Sequence, residues 1–232
     1  SHSFEAWAAR IPGWKTVIPS NALDAYGLML SAIEDPNPVM YLIPKALMRV
    51  RGRDLIPGEP ADEKELKAMI DAPVNPEERK KWKPRWPKTE AYRVPLGKAR
   101  HVMQGDHATV VSCGRPQVLV EAVAEKLAAE GIHYDVLDLR TVYPYDWDAI
   151  RSSVERTGRV IFINEDTEVC NLSEHLLRRT CDELFYSLKV RPRAIGGKHI
   201  PGVGICPVLE DVSVPQMNHV EKEMRELVEE PA

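Results

Sequence analysis

The spacing of apolar and polar positions changes texture twice along the chain. Over residues 1–50 short helical and extended signals alternate. SFEAWAAR reads as a helix, with Phe4, Trp7 and Ile11 as its buried positions, and KTVIP reads as a short strand. NALDAYGLMLSAIED has Leu23, Tyr26, Leu30 and Ile33 at helical spacing, behind Ser20 as the expected N-cap. Asp35-Pro36-Asn37-Pro38 stops that helix, and VMYLI predicts a buried strand. Strand, helix and strand make half of a parallel sheet, too few elements to cover both its faces.

Residues 51–93 are rich in charge and proline, with two helical turns at most, around DEKELKAMI. They predict a fitted, proline-stiffened arm in which Trp82 and Trp86 are anchors. From 94 onward the pattern becomes regular. HATVVSC, HYDVLDL, RVIFINE and VRPRAIGG are strands. Between them lie a helix with Pro116 in its first turn and Gly131 at its end, a second capped by Asp146 and ending at Gly158, and a third following Ser173. The third carries Leu177, Cys181, Leu184 and Leu188 on its expected buried stripe. A last helix, from about Pro215, places Met217, Val220, Met224 and Leu227 on one face. Strict alternation of strand and helix predicts an α/β fold: a three-layer, mostly parallel sheet over 94–232, preceded by a partial α/β unit (1–50) and the arm (51–93).

Composition removes several classes of function. A formal net charge of -4 does not suit wholesale nucleic-acid binding. The basic run ERKKWKPRWPK is explained by lysine stems lying over apolar surface. No apolar run approaches the ~18 residues that span a bilayer, and the opening residues read as the interior of a longer protein. Cys113, Cys170, Cys181 and Cys206 form no CxxC pair, so buried free thiols in a reducing compartment are expected. That predicts the cytoplasm or an equivalent.

Candidate chemistry is sparse. Ser112-Cys113-Gly114-Arg115-Pro116 has one glycine where a dinucleotide fingerprint needs three, and no phosphate loop occurs. Glu165 and Asp166 end the third strand of the regular region, on the edge where open α/β sheets bind ligands. They suit acid–base work, or else the capping of the next helix or an interface. Asp138 and Arg140 fit structural ion pairs. Gly196–Gly204, with His199, fits either an anion cradle or a close-packed turn at a subunit contact. For His2, ahead of the first helix, the residues alone leave the role open.

Four strings carry a resemblance: SFEAWAARIPGWKTVIPSNALDAYGLMLSAIEDPNPV, VPLGKARHV, YDVLDLRTVYPYDWDAIRSSVERTGRVIFINED and VLEDVSVP. Together they resemble the β subunit of the thiamin-diphosphate-dependent component of 2-oxo acid dehydrogenase complexes, of pyruvate and branched-chain types. The resemblance implies a transketolase C-terminal-type domain, a heterotetramer with two α subunits and a second β subunit, and docking to the subunit-binding domain of dihydrolipoyl acyltransferase. It implies thiamin diphosphate and Mg2+ held between chains of the assembled enzyme, with the cofactor glutamate upstream of these residues and this chain alone inactive. His2 would stand at the active-site edge where the family has glutamine. In branched-chain members a potassium ion is held at positions matching Ala32 (carbonyl), Asp35 and Asn37; the plainer reading is that Asp35 and Asn37 close a turn. Glu221, Glu223, Glu226, Glu229 and Glu230 on the last helix either attract a basic docking partner or form a solvated face. The rival functions are a non-catalytic interaction module and another transketolase-like thiamin enzyme. A mitochondrial matrix location is implied for a eukaryotic source.

Overall fold

The computed structural model describes residues 3–231. Its larger sheet has five strands: β3 (Arg100–Met103), β4 (Ala108–Ser112), β5 (Tyr134–Asp138), β7 (Val160–Thr167) and β8 (Arg193–Gly197). Their spatial order is β3-β5-β4-β7-β8, with only β3 antiparallel to its neighbour. The period of two along each strand builds both layers. Val110, Val136, Ile161 and Ile163 face Val120, Val123 and Leu127 of α5 (Arg115–Ala129) and Val220, Met224 and Leu227 of α9 (Met217–Glu229). Val111, Leu137 and Phe162 face Ile150 and Val154 of α6 (Trp147–Thr157) and Leu176 and Leu184 of α7 (Leu172–Leu184). The central strands β4 and β5 are buried along their whole length because helices cover both faces, and most of their residues are apolar for this reason.

The first unit contains α1 (Glu5–Ala9), β1 (Lys15–Val17), α2 (Ala22–Glu34) and β2 (Val39–Tyr41), with β1 and β2 parallel. Its sheet is completed from elsewhere. A third strand, β6 (Thr141–Tyr143), follows β5 and pairs antiparallel with β1. Residues 141–143 thus belong to the second unit in sequence and to the first in hydrogen bonding.

Several expectations need correction. Asn21, not Ser20, caps α2, its side chain accepting from Asp24 N; Ser20 instead turns toward Asp138. The buried stripe of α2 is Asp24, Gly27 and Leu28, and Ile33 is 72% exposed. Phe4 and Trp7 are exposed, and β2 is only half-buried. Asn171 caps α7, whose buried residues are Leu172, Ser173, Leu176, Thr180 and Leu184; Leu184 is buried as expected, while Leu176 and Thr180 turn inward in place of their neighbours Leu177 and Cys181. The arm holds two helices, α3 (Glu63–Ile70) and α4 (Pro76–Lys81), neither with a buried residue, and Trp86 is 72% exposed. The short helix α8 (Pro207–Ser213) was not foreseen.

Two glycines mark where units close on one another. A Cβ on Gly27 would lie 2.7 Å from Val94 Cγ2 and 2.8 Å from Tyr92, so the arm's end lies directly on α2. Gly114, at φ +62°, leaves the turn after β4 open for Ile18 of the first unit, 2.7 Å from where a Cβ would stand.

Candidate functional site at the carboxyl edge of the sheet

From β4 the chain crosses to β5 on one side, and from β7 to β8 on the other. The loops leaving the carboxyl ends of β4 and β7 therefore diverge, which opens the crevice where such sheets bind ligands. Cys113, Gly114 and Arg115 line it from β4, and Glu165 and Asp166 from β7. Glu5 of α1 enters from the first unit and is 1% exposed. Burial, then the nearby Asp166, pushes the Glu5 carboxyl up to about 8, so at neutral pH it holds its proton. Ser3 Oγ donates to it. Burial also raises Glu165, against the opposing Arg115 guanidinium 3.9 Å away. Asp166 Oδ1 accepts from Thr167 N at 2.8 Å. Since α7 is capped by Asn171, neither Glu165 nor Asp166 is a helix cap. The Cys113 thiol is pushed up, first by burial, so it stays protonated and is no nucleophile.

A second cluster fixes how the first unit lies on the second. Arg140, at φ 56°, sends Nη1 to Asp24 Oδ1 at 3.0 Å, and Nε and Nη2 to Lys98 O at 3.2 and 3.0 Å. A left-handed arginine costs of order 1 kcal/mol, and these charge-assisted bonds offset it. Arg100 bridges Asp24, Glu121 and Asp138 at 3.5, 2.8 and 3.4 Å. Fully buried Asp138 accepts from Ser20 Oγ and from Arg140 N; burial raises it to about 6 despite Ser20 and Arg100. Asp138 and Arg140 thus serve structural ion pairing, with Asp24, Arg100 and Ser20 as partners the sequence did not suggest.

The remaining candidates fall away from the crevice. Asp35 is ion-paired with Lys15, and its Oδ1 accepts from Asn37 N at 2.9 Å and Asn37 Nδ2 at 3.0 Å. These contacts, Lys15 first, hold its carboxyl down to about 2. Asp35 and Asn37 do close the turn, and a cation there shares Asp35 with the Lys15 ammonium. On α9, Glu221 pairs with Lys126 and Arg225, while Glu223, Glu226 and Glu230 converge on Arg193. Docking a basic partner on those four means exchanging internal pairs for external ones. Gly196 and Gly197 belong to β8 rather than to a loop, and His199 Nδ1 lies 3.2 Å from Thr167 Oγ1. Of the cysteines, only Cys113 is buried; all four are free. His2 lies outside the described residues.

Among the described residues no three His, Cys, Asp or Glu side chains could share a metal ion. The turn after β4, where a pyrophosphate would approach, is filled by Ile18. That turn therefore leaves no room for a pyrophosphate at Gly114. No helix of the described residues is long and apolar enough to cross a membrane. Glu5 went unnoticed in the sequence, because an acid in a helix's first turn ordinarily faces water.

Comparison with known proteins fits this geometry. The chain is 32% identical over 230 residues to the 2-oxoisovalerate dehydrogenase subunit beta of Bacillus subtilis (strain 168), covering 99% of this chain and 60% of that one. It is 32% identical over 232 residues to the acetoin:2,6-dichlorophenolindophenol oxidoreductase subunit beta of the same organism, covering 100% and 58%. To the pyruvate dehydrogenase E1 component subunit beta of Acholeplasma laidlawii it is 32% identical over 192 residues, covering 83% and 49%. The chain thus spans at most about three fifths of these relatives. A solved structure described as "Split gene transketolase, inactive beta4 tetramer" shares the fold, with TM-score 0.69 at 17% identity over 98% of this chain and 62% of that one. The model of the transketolase C-terminal domain matches residues 97–220. That stretch is more than half the chain and carries every strand of the five-stranded sheet and both walls of its crevice, so this chain belongs to the transketolase C-terminal domain family.

Proposed function

We propose that this chain is part of the β subunit of a thiamin-diphosphate-dependent 2-oxo acid dehydrogenase, which decarboxylates its substrate oxidatively and acylates a lipoyl group. The observation that carries this reading is similarity to β subunits over 99% of the chain, across both units and the arm. Relatives named for 2-oxoisovalerate, acetoin and pyruvate stand at the same 32% identity, so identity does not choose the substrate. When bound in the assembled enzyme, thiamin diphosphate supplies the carbanion stabilisation that decarboxylation needs, with Mg2+ on its diphosphate. The part of the described residues is positional. The Asp24–Arg100–Asp138–Arg140 cluster locks the first unit onto the second, and buried Glu5 fixes the start of α1 against the crevice.

In this reading the partners are an α subunit, a second β subunit, and the subunit-binding domain of dihydrolipoyl acyltransferase on α9. The assembly works in the cytoplasm or, in a eukaryote, in the mitochondrial matrix. Co-expression with a cognate α chain restores 2-oxo acid oxidation, whereas this polypeptide alone, given thiamin diphosphate and Mg2+, releases no CO2. Release of CO2 by the polypeptide alone would overturn the reading. Failure to pair with any α chain, with self-association retained, favours a non-catalytic module; the transketolase relative of like fold is itself named as an inactive β4 tetramer. A potassium ion at Ala32, Asp35 and Asn37 belongs to the same reading. Exchanging sodium for potassium then stabilises the protein by about 1 kcal/mol at concentrations several-fold above Kd, and Asp35→Asn abolishes that difference in thermal melts.

A further inference from the structure

The buried apolar clusters leave one stretch of apolar side chains unclaimed. Between β2 and α3, residues 43–56 have no regular structure beyond a 3-10 turn at Lys45–Leu47. Ile43, Leu47, Met48, Val50 and Ile56 belong to none of those clusters, and Ile43, Met48 and Val50 are more than half exposed. The stretch is nevertheless held in place. Gly52 is seated against the start of α2, so that a Cβ on it would lie 3.4 Å from Ala22 Cβ. A cleft of about 860 Å³ lies between this stretch, the start of α2, β3 and α5. All five of those apolar residues line it, and Val102 of β3 and Val118 of α5 add to its apolar wall. Glu5, Arg115 and Glu165 of the crevice take no part in it.

A concave, mostly apolar cleft of this size suits a small amphipathic ligand, and the charges lining it select the head group. Arg100 is already held by Asp24, Glu121 and Asp138. Arg51 and Arg53, two positions apart, are engaged more loosely. Arg51 Nη2 donates to Ala61 O at 3.1 Å, and its one carboxylate contact among the described residues is Glu63, 3.9 Å from Nη1. Arg53 pairs with Glu125, with side chains 72% and 47% exposed, and a pair so open to water exchanges partners at little cost. Both guanidiniums are therefore free to turn to a carboxylate, which their planar forks match. We propose that this cleft binds a medium-chain carboxylic acid, its chain against Ile43, Met48 and Val50 and its carboxylate on Arg51 and Arg53. A chain of about ten carbons is well within what such a cleft holds. An ammonium head on the same chain meets two like charges instead.

The site lies apart from the crevice and does not rest on the proposed function. Titration calorimetry of the full chain with decanoate, octanoate and decylamine tests it without an α chain or cofactor. Decanoate should bind one-to-one with a Kd of about 0.1 mM. Octanoate should bind roughly tenfold more weakly, the loss expected for two methylenes, and decylamine weaker than decanoate by roughly tenfold or more. The double variant Arg51→Ala with Arg53→Ala should lose the preference for decanoate over decylamine. Met48→Asp, at a side chain exposed enough to leave the fold intact, should abolish decanoate binding; circular dichroism and melting temperature verify that both variants are folded. Hydrogen exchange locates the ligand: amides of 43–56 should gain protection with decanoate while those of β8 do not. No binding at millimolar decanoate, equal affinity for decanoate and decylamine, or undiminished binding by Met48→Asp would overturn the proposal. Self-association that Met48→Asp abolishes and decanoate does not reverse would also overturn it, assigning the cleft to a second copy.

Discussion

The second unit and the first fifty residues with their arm fold by different means. In the second unit, Val110, Val136, Ile161, Phe162 and Leu137 have no measurable exposure, and helices cover them on both faces. The first unit has a buried cluster of only Val17, Leu28 and Val94, and Val94 comes from beyond the arm. Its sheet borrows β6, and its helix α2 buries a carboxylate, Asp24, beside Gly27 and Leu28. The arm is held by pairs such as Arg93 with Glu34, by Tyr26 Oη on Glu90 O at 3.1 Å, and by the close approach at Gly27. Exposed ion pairs of this kind contribute little. One region is held by its own core and the other mainly by what it leans on.

The sharpest way to break the comparison is in the core of the second unit. Phe162→Ala should cost about 4 kcal/mol, a large share of the ~5–15 kcal/mol available to a domain, as read by urea unfolding. Asp24→Ala should come next at about 3 kcal/mol, because it leaves the Arg140 guanidinium without its buried carboxylate. Its distinguishing sign is lost hydrogen-exchange protection in β1 and β2 while β4 and β7 keep theirs. Equal loss in both sheets would mean the units are not separable.

A pH experiment isolates the crevice. Glu5 has a folded value of about 8 against an ordinary 4.5, so the folded state binds the proton more tightly than the unfolded state. The stability tied to that proton is complete below pH 4.5 and is lost as pH rises through 8. Glu5→Gln should therefore flatten the fall in melting temperature between pH 5 and 9. A fall that persists in Glu5→Gln would assign it to another group. The smallest effect belongs to the arm: Trp86→Ala should change stability by less than about 0.5 kcal/mol, since that ring is 72% exposed.

The architecture of 94–232 was legible wherever a strand had to be apolar on both faces and a helix carried its own stop. Asp146 caps α6 and Gly158 ends it, as read from those residues alone. Helix existence at α2 and α7 was equally plain, but the buried stripe was not. In α7, Leu177 and Cys181 look as apolar as Leu176, and the neighbouring layer decides which of them turns inward. In the crevice, Glu165 and Asp166 could be placed on a strand end by counting, whereas Glu5 could not. Its burial depends on α1 lying over the sheet's edge.

The sequence by itself determined the period of each element, hence the alternation of strand and helix, and the kinship of the chain. Those depend on neighbours within about seven positions, or on strings long enough to be specific. Only the tertiary structure decided that β6 serves another sheet and that Arg140 reaches Asp24. Each of these joins residues far apart in the chain. Long-range pairing is settled by which polar groups must be satisfied once the apolar layers have closed, and no local pattern records that.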